Sequence, residues 1–81
     1  MTQIDIILIA MLTNKNKKWW SAKDFQYGDY FVGYEASSRM SEIINKYGEY
    51  IKVAKDGRFR IISIDWDNKD INILLEKYGL K

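Results

Sequence analysis

Apolar positions recur along this chain in two rhythms. From Ile4 to Leu12 the spacing is helical: Ile4, Ile7, Leu8, Met11 and Leu12 fall on one face. Thr2 stands where a cap belongs, and Asp5, three residues on, can complete a reciprocal one. The spacing predicts a first helix over about residues 3–13. Ile6 and Ile9 widen its apolar surface, so it needs cover on more than one side, for which the C-terminal segment is available. After the polar connector Asn14-Lys-Asn-Lys-Lys18 comes a start signal, Trp20-Ser-Ala-Lys-Asp-Phe25. Ser21 is the expected N-cap and Asp24 the third helical position, with Trp20 and Phe25 as a hydrophobic staple. That short second helix runs to about Tyr27 and is broken by Gly28-Asp29.

A third helix is expected over about 35–47, with Gly48 as a left-handed stop. Ala36, Met40, Ile43, Ile44 and Tyr47 share its inner face. Tyr34, Ser38, Ser41, Glu42 and Asn45 lie opposite, flanked by Ser37, Arg39 and Lys46. The rhythm then changes to two apolar strands around Lys55-Asp-Gly-Arg58. A two-residue turn at Asp56-Gly57 pairs Lys55 with Arg58, Val53 with Arg60 and Ile51 with Ile62. A three-residue turn with a bulge at Gly57 fits nearly as well. Ile51, Val53, Ile62 and Ile64 root the hairpin, while Lys55, Arg58 and Arg60 crowd its tip. Like charges opposite one another destabilise a hairpin, so this tip asks for a partner. A last helix follows, capped by Asp67 or Asn68 with Asp70 in its first turn. Ile71, Leu74, Leu75 and Tyr78 form its inner face, Gly79 ends it, and Trp66 packs at its start.

Composition narrows the chemistry. The 81 residues suit one domain over 1–81, and 47% hydrophobic content is too high for a disordered chain. Cysteine and histidine are both absent. That removes disulfides, thiolate metal sites and the commonest general base, so no metal and no cofactor are expected. The only hint of an enzyme is the pair Asp65 and Asp67, which together could hold Mg²⁺. Asp67 has a better use as a cap, and the chain reads as a non-enzyme. The longest apolar run, Ile6–Leu12, is far too short to span a membrane and lacks the flanks of a signal peptide, so no membrane is expected and the cytoplasm is the default location.

The net charge is only +2, but it is unevenly spread. Residues 15–60 carry ten Lys or Arg against six Asp or Glu, an excess of four, whereas 61–81 carry three against four. The excess sits in the middle of the chain, where the hairpin turn lies, and it points to a polyanion only where the fold concentrates it.

Helix, short capped helix, turn, helix and two-stranded hairpin is the plan of a winged helix-turn-helix: an α+β fold of three helices and a β-hairpin wing, here with an additional C-terminal helix. "WWSAKDF" (19–25) and the segment 31–65 resemble small winged-helix proteins of bacteriophages and prophages. The resemblance rests on a reader-helix pattern, here Tyr34, Ala36, Arg39, Met40, Ser41, Glu42 and Ile43. A Lys-x-Gly-Arg wing, here Lys55, Gly57 and Arg58, follows it. It implies double-stranded DNA as the partner, with a role in transcription regulation or as an accessory factor. Some members of the family bind only proteins, so a protein-interaction module without DNA binding is the alternative. Its surface would gather Trp19, Tyr30, Phe31 and Tyr34, and Glu35, Glu42 and Glu49 would favour it.

The residue chemistry agrees with the DNA reading. Short polar side chains let a helix approach base edges closely, Asn pairs with adenine and Arg with guanine. The candidate DNA-binding residues are therefore Tyr34, Ser37, Ser38, Arg39, Ser41 and Asn45 on the helix, and Lys55, Arg58 and Arg60 on the wing. Lys15, Lys17, Lys18 and Lys23 are placed to meet flanking phosphates. Arg39 and Glu42, three apart on the helix, are also positioned for a local ion pair. Trp19, unlike the stapling Trp20, can pack in the core or stack on a base. The first and last helices offer a seam for a homodimer, which would supply two half-sites.

Overall fold

The computed structural model describes residues 1–27 and 32–81. The expected break at Gly28-Asp29, and Tyr30 and Phe31 of the aromatic surface, lie outside the described residues. The architecture is α+β. The described elements are α1 (Gln3–Thr13), α2 (Lys23–Gln26), α3 (Ala36–Tyr47), a 3₁₀ turn (Gly48–Tyr50), the strands β1 (Ile51–Asp56) and β2 (Phe59–Ile64), and α4 (Ile71–Lys77). Among the described residues, no helix is long and apolar enough to cross a membrane.

α1 begins as its sequence dictates. The Thr2 hydroxyl accepts from the Asp5 amide at 3.2 Å, and the Asp5 carboxylate accepts from the Thr2 amide at 3.1 Å. The capping box thus uses two of the amides a helix start leaves unpaired. Ile7, Leu8, Ala10, Met11 and Leu12 are all buried, so α1 is covered nearly all round. Part of that cover comes from the C-terminal segment, where the Tyr78 hydroxyl, just past α4, donates to Asp5 at 2.8 Å.

Trp20 and Phe25 stack at 5.3 Å between ring centroids, which is the expected staple. The expected cap at Ser21 is corrected. The helix starts after Ala22 without a side-chain cap, and Asp24 instead accepts from the Ser21 amide at 2.7 Å. The Asp24 amide is already taken by the Ser21 carbonyl in a tight turn, so it does not reach the hydroxyl. Gly48 is also corrected: its φ is −56°, right-handed, because the chain runs on through the 3₁₀ turn to bury Tyr50 before β1. Gly79 does take the left-handed conformation. Its amide donates to Glu76 and that of Leu80 to Leu75, closing α4 in a Schellman motif. The cap of α4 differs from expectation as well. Asp70 holds the N-cap position, while Asp65 and Asn68 accept from the amides of Asp67 and Asp70 in the turns before it.

The hairpin register is Ile51↔Ile64, Val53↔Ile62, Lys55↔Arg60 and Asp56↔Phe59, so the turn is Gly57-Arg58, not Asp56-Gly57. Gly57 has φ +64° and Arg58 has no positive φ, the pattern of a type II′ turn with glycine first. A turn at Asp56-Gly57 of type I′ would need positive φ at Asp56 too. The observed register also matches apolar partners with apolar partners, and it leaves one like-charge pair, Lys55 with Arg60. Val53, expected to root the hairpin, is 49% exposed although its partner Ile62 is fully buried, since Trp20 flanks β2 and leaves β1 as the outer strand.

Trp20 forms a further antiparallel bridge with Ile62, through backbone hydrogen bonds of 2.8 and 2.9 Å. The start of α2 is therefore fastened to the hairpin. Ile7, Leu8, Met11, Phe25, Met40, Ile43, Ile62 and Leu74 are the largest fully buried side chains. They join α1, α2, α3, α4 and β2 in one core.

Candidate nucleic-acid interface

α3 turns Ala36, Met40, Ile43 and Tyr47 into the core. The helical period therefore carries Ser37, Ser38 and Asn45 to the surface, with Ser41 half-buried. Tyr34, in the turn ahead of α3, is 90% exposed. Ser41 Oγ donates to the Ser37 carbonyl at 3.3 Å. Arg60 reaches across from β2, and its Nη2 donates to Ser41 Oγ at 2.8 Å and to the Ser37 carbonyl at 3.4 Å.

That reach closes one side of a cleft of about 600 Å³ between α2, the first half of α3 and the hairpin turn. Lys23 and Gln26 line it from α2, Ser37 and Ser41 from α3, and Arg58 and Arg60 from the hairpin. Among the described residues that line it there are three cations and no carboxylate. Phe59 also lines it, with the Lys23 ammonium 4.6 Å from its ring centroid. The acid that follows Lys23 in the chain, Asp24, is already engaged: Lys17 pairs with it at 3.2 Å and the Ser21 amide donates to it. A groove lined this way attracts anions, since low-dielectric walls focus the field of the cations.

Four expected site residues, Ser37, Ser41, Arg58 and Arg60, thus converge. Ser38 and Asn45 are exposed along α3 and Tyr34 stands just ahead of it, all outside the cleft lining. Lys55 is exposed opposite Arg60 on the hairpin. Arg39 lies elsewhere. Its Nε donates to Gln3 Oε1 at 2.9 Å, its Nη2 pairs with Glu35 at 3.3 Å, and its Nη1 bonds Glu42. Gln3 in turn donates to the Val32 carbonyl. Arg39 thereby joins α1 to α3, with its charge matched by two carboxylates. The ion pair with Glu42 expected from their spacing is present.

Gln26 and Phe59 are among the lining residues with no counterpart in the expected site. Gln26 follows Lys23 by three positions and shares its face of α2, which the spacing could have signalled. Phe59, between two arginines, reads as filler in a strand. Three groups with displaced pKa, Asp5, Tyr47 and Tyr78, lie away from the cleft, where α1, α3 and α4 meet. The hydrogen bond from Tyr78, helped by the cap at Thr2, holds Asp5 below its ordinary value. Burial first, then the bond to Asp5, pushes the Tyr78 phenol up. The Lys77 ammonium, hydrogen-bonded to the Tyr47 hydroxyl, draws that phenol down. These contacts fasten helices together.

No family model, curated protein or solved structure matches the chain.

Proposed function

We propose that this protein is a winged helix-turn-helix that binds double-stranded DNA, as a small phage- or prophage-type regulator or accessory factor. α3 is the reader in the major groove, and the β1–β2 hairpin is the wing along the backbone or minor groove. The observation that carries this reading is the cleft, with three cations and no carboxylate among its described lining residues, set against the serine face of α3. The bridge from Trp20 to Ile62 supports it, because it holds the α2–α3 pair and the hairpin in one unit. In this reading Arg58, Lys55 and Lys23 meet phosphates, Ser38 and Asn45 meet base edges, and Arg39 stays structural.

The test is fluorescence anisotropy of a labelled random-sequence duplex at low salt, followed by a salt titration. Binding is expected, with log K falling against log [salt] at a slope of about −3 for three to four neutralised phosphates. A folded protein that binds no duplex at low salt overturns the proposal. It would favour the protein-interaction module, for which the exposed Tyr27 and Tyr34 supply aromatic anchors.

A further inference from the structure

Trp19 and Trp20 are neighbours with opposite fates. Trp20 is 3% exposed, stacked on Phe25 and paired with Ile62. The alternation of a strand therefore turns Trp19 to the other face of the hairpin, where it is 40% exposed. There it lines a second cleft, of about 400 Å³, together with Lys15, Lys18, Lys52, Ser63 and Trp66. The Lys15 ammonium lies 4.7 Å from the Trp66 ring centroid, so that ring already has a cation over it. Among the described residues neither a cation nor another ring covers Trp19. Asp67 also lines this cleft, and Lys52 is 3.8 Å from Asp65. Lys15 and Lys18 have no carboxylate partner among the ion pairs of the described residues.

We infer that this cleft binds an unpaired nucleotide, its base stacked on Trp19 and its phosphates held by Lys15 and Lys18. An exposed indole costs solubility and adds nothing to the core here. A nucleobase offers it a flat π-face of any sequence, and flanking ammonium groups neutralise the backbone that comes with the base. The volume falls at the low end of ligand clefts, suited to one base rather than a duplex. Ser63, a buried residue that lines the cleft, can meet a base edge through its Oγ. This site lies on different residues from the Arg58–Arg60 cleft and does not depend on duplex binding.

The experiment compares a labelled fifteen-residue oligothymidylate with an abasic oligomer of equal length and charge, by anisotropy at low salt. The expected result is binding of the oligothymidylate about tenfold or more tighter than the abasic strand. Trp19→Ala, whose fold is checked by circular dichroism, removes that preference, and Trp19→Phe keeps most of it. Arg58→Ala leaves it unchanged. Equal binding of the two oligomers means charge attraction alone and overturns the inference, as does a folded Trp19→Ala variant that keeps the preference. Failure of the duplex reading would appear separately, as no binding to blunt random duplex.

Discussion

Arg60 of the hairpin donates a 2.8 Å hydrogen bond to Ser41 of α3, and so the hairpin and α3 are tied by a side chain that also carries charge. Arg60→Ala is therefore expected to have two effects. Stability falls by about 1 kcal/mol, as for a partly exposed bond to a charged donor, and duplex affinity falls as well. Ser41→Ala should reproduce the loss of stability with a smaller loss of affinity. Urea midpoints and anisotropy on the same preparations separate the two.

Lys55 and Arg58 form no ion pair among the described residues and stand exposed. Replacing both with alanine should leave the unfolding free energy within about 0.5 kcal/mol of the parent, read from urea titrations. The salt slope for duplex binding should shrink by roughly one for each phosphate that is no longer neutralised. Arg39→Ala should do the reverse, costing stability and leaving the slope alone. A slope unchanged by the double variant would mean that the hairpin touches no phosphate.

Two glycines predict opposite signs for one substitution. A Cβ on either Gly48 or Gly57 meets nothing within 4 Å, so only backbone conformation decides. Gly57 sits at φ +64°, where alanine costs about 1 kcal/mol. Gly48, at φ −56°, is in the right-handed region, where alanine is expected to gain roughly 0.4–1 kcal/mol through the unfolded chain. Thermal melts of the two variants check the contrast.

The lowered pKa of Asp5 makes stability depend on pH. A carboxyl group whose folded value is depressed contributes above its unfolded value and loses that contribution as it protonates. Stability should fall as pH drops from the ordinary aspartate value of 3.8 through the lower value of the folded state. In Asp5→Asn that portion of the acid slope should vanish, and the two unfolding curves should converge at the lowest pH. Denaturant titrations at a series of acid pH values measure it.

Ile43 and Val53 are both apolar candidates for the core, but only Ile43 is fully buried. Ile43→Ala should cost about 2–5 kcal/mol, and Val53→Ala about 0.5 kcal/mol. Comparable losses in urea titrations would show that the hairpin tip is covered by something further.

Local chemistry made much of this fold legible from the residues alone. The Thr2–Asp5 cap, the Trp20–Phe25 staple and the inner face of α3 each depend on residues within a few turns of each other. The hairpin faces were legible too, because a turn shifted by one position carries both strands along and preserves the parity. The turn itself was not. Asp56-Gly57 and Gly57-Arg58 are both good glycine turns, and the choice fell to the matching of Val53 with Ile62 and Ile51 with Ile64. Spacing signalled the pairing of Arg39 with Glu42, but not which of Arg39 and Arg60 would face the cleft. One is drawn in by Gln3 from another helix and the other is drawn to Ser41, and both bonds join residues far apart in the chain. Likewise the sorting of Trp19 from Trp20 follows from a bridge to a distant strand.

That bridge has a consequence for how the protein comes into being. Trp20 can pair only after Ile62 has been synthesised, so α2 and α3 lie inside a loop that closes late. Entropy opposes that closure until the core contacts of β2 reward it. During translation the helices can flicker into shape early. Their position against the hairpin is set only once the second strand has left the ribosome, and any activity that needs both surfaces begins there.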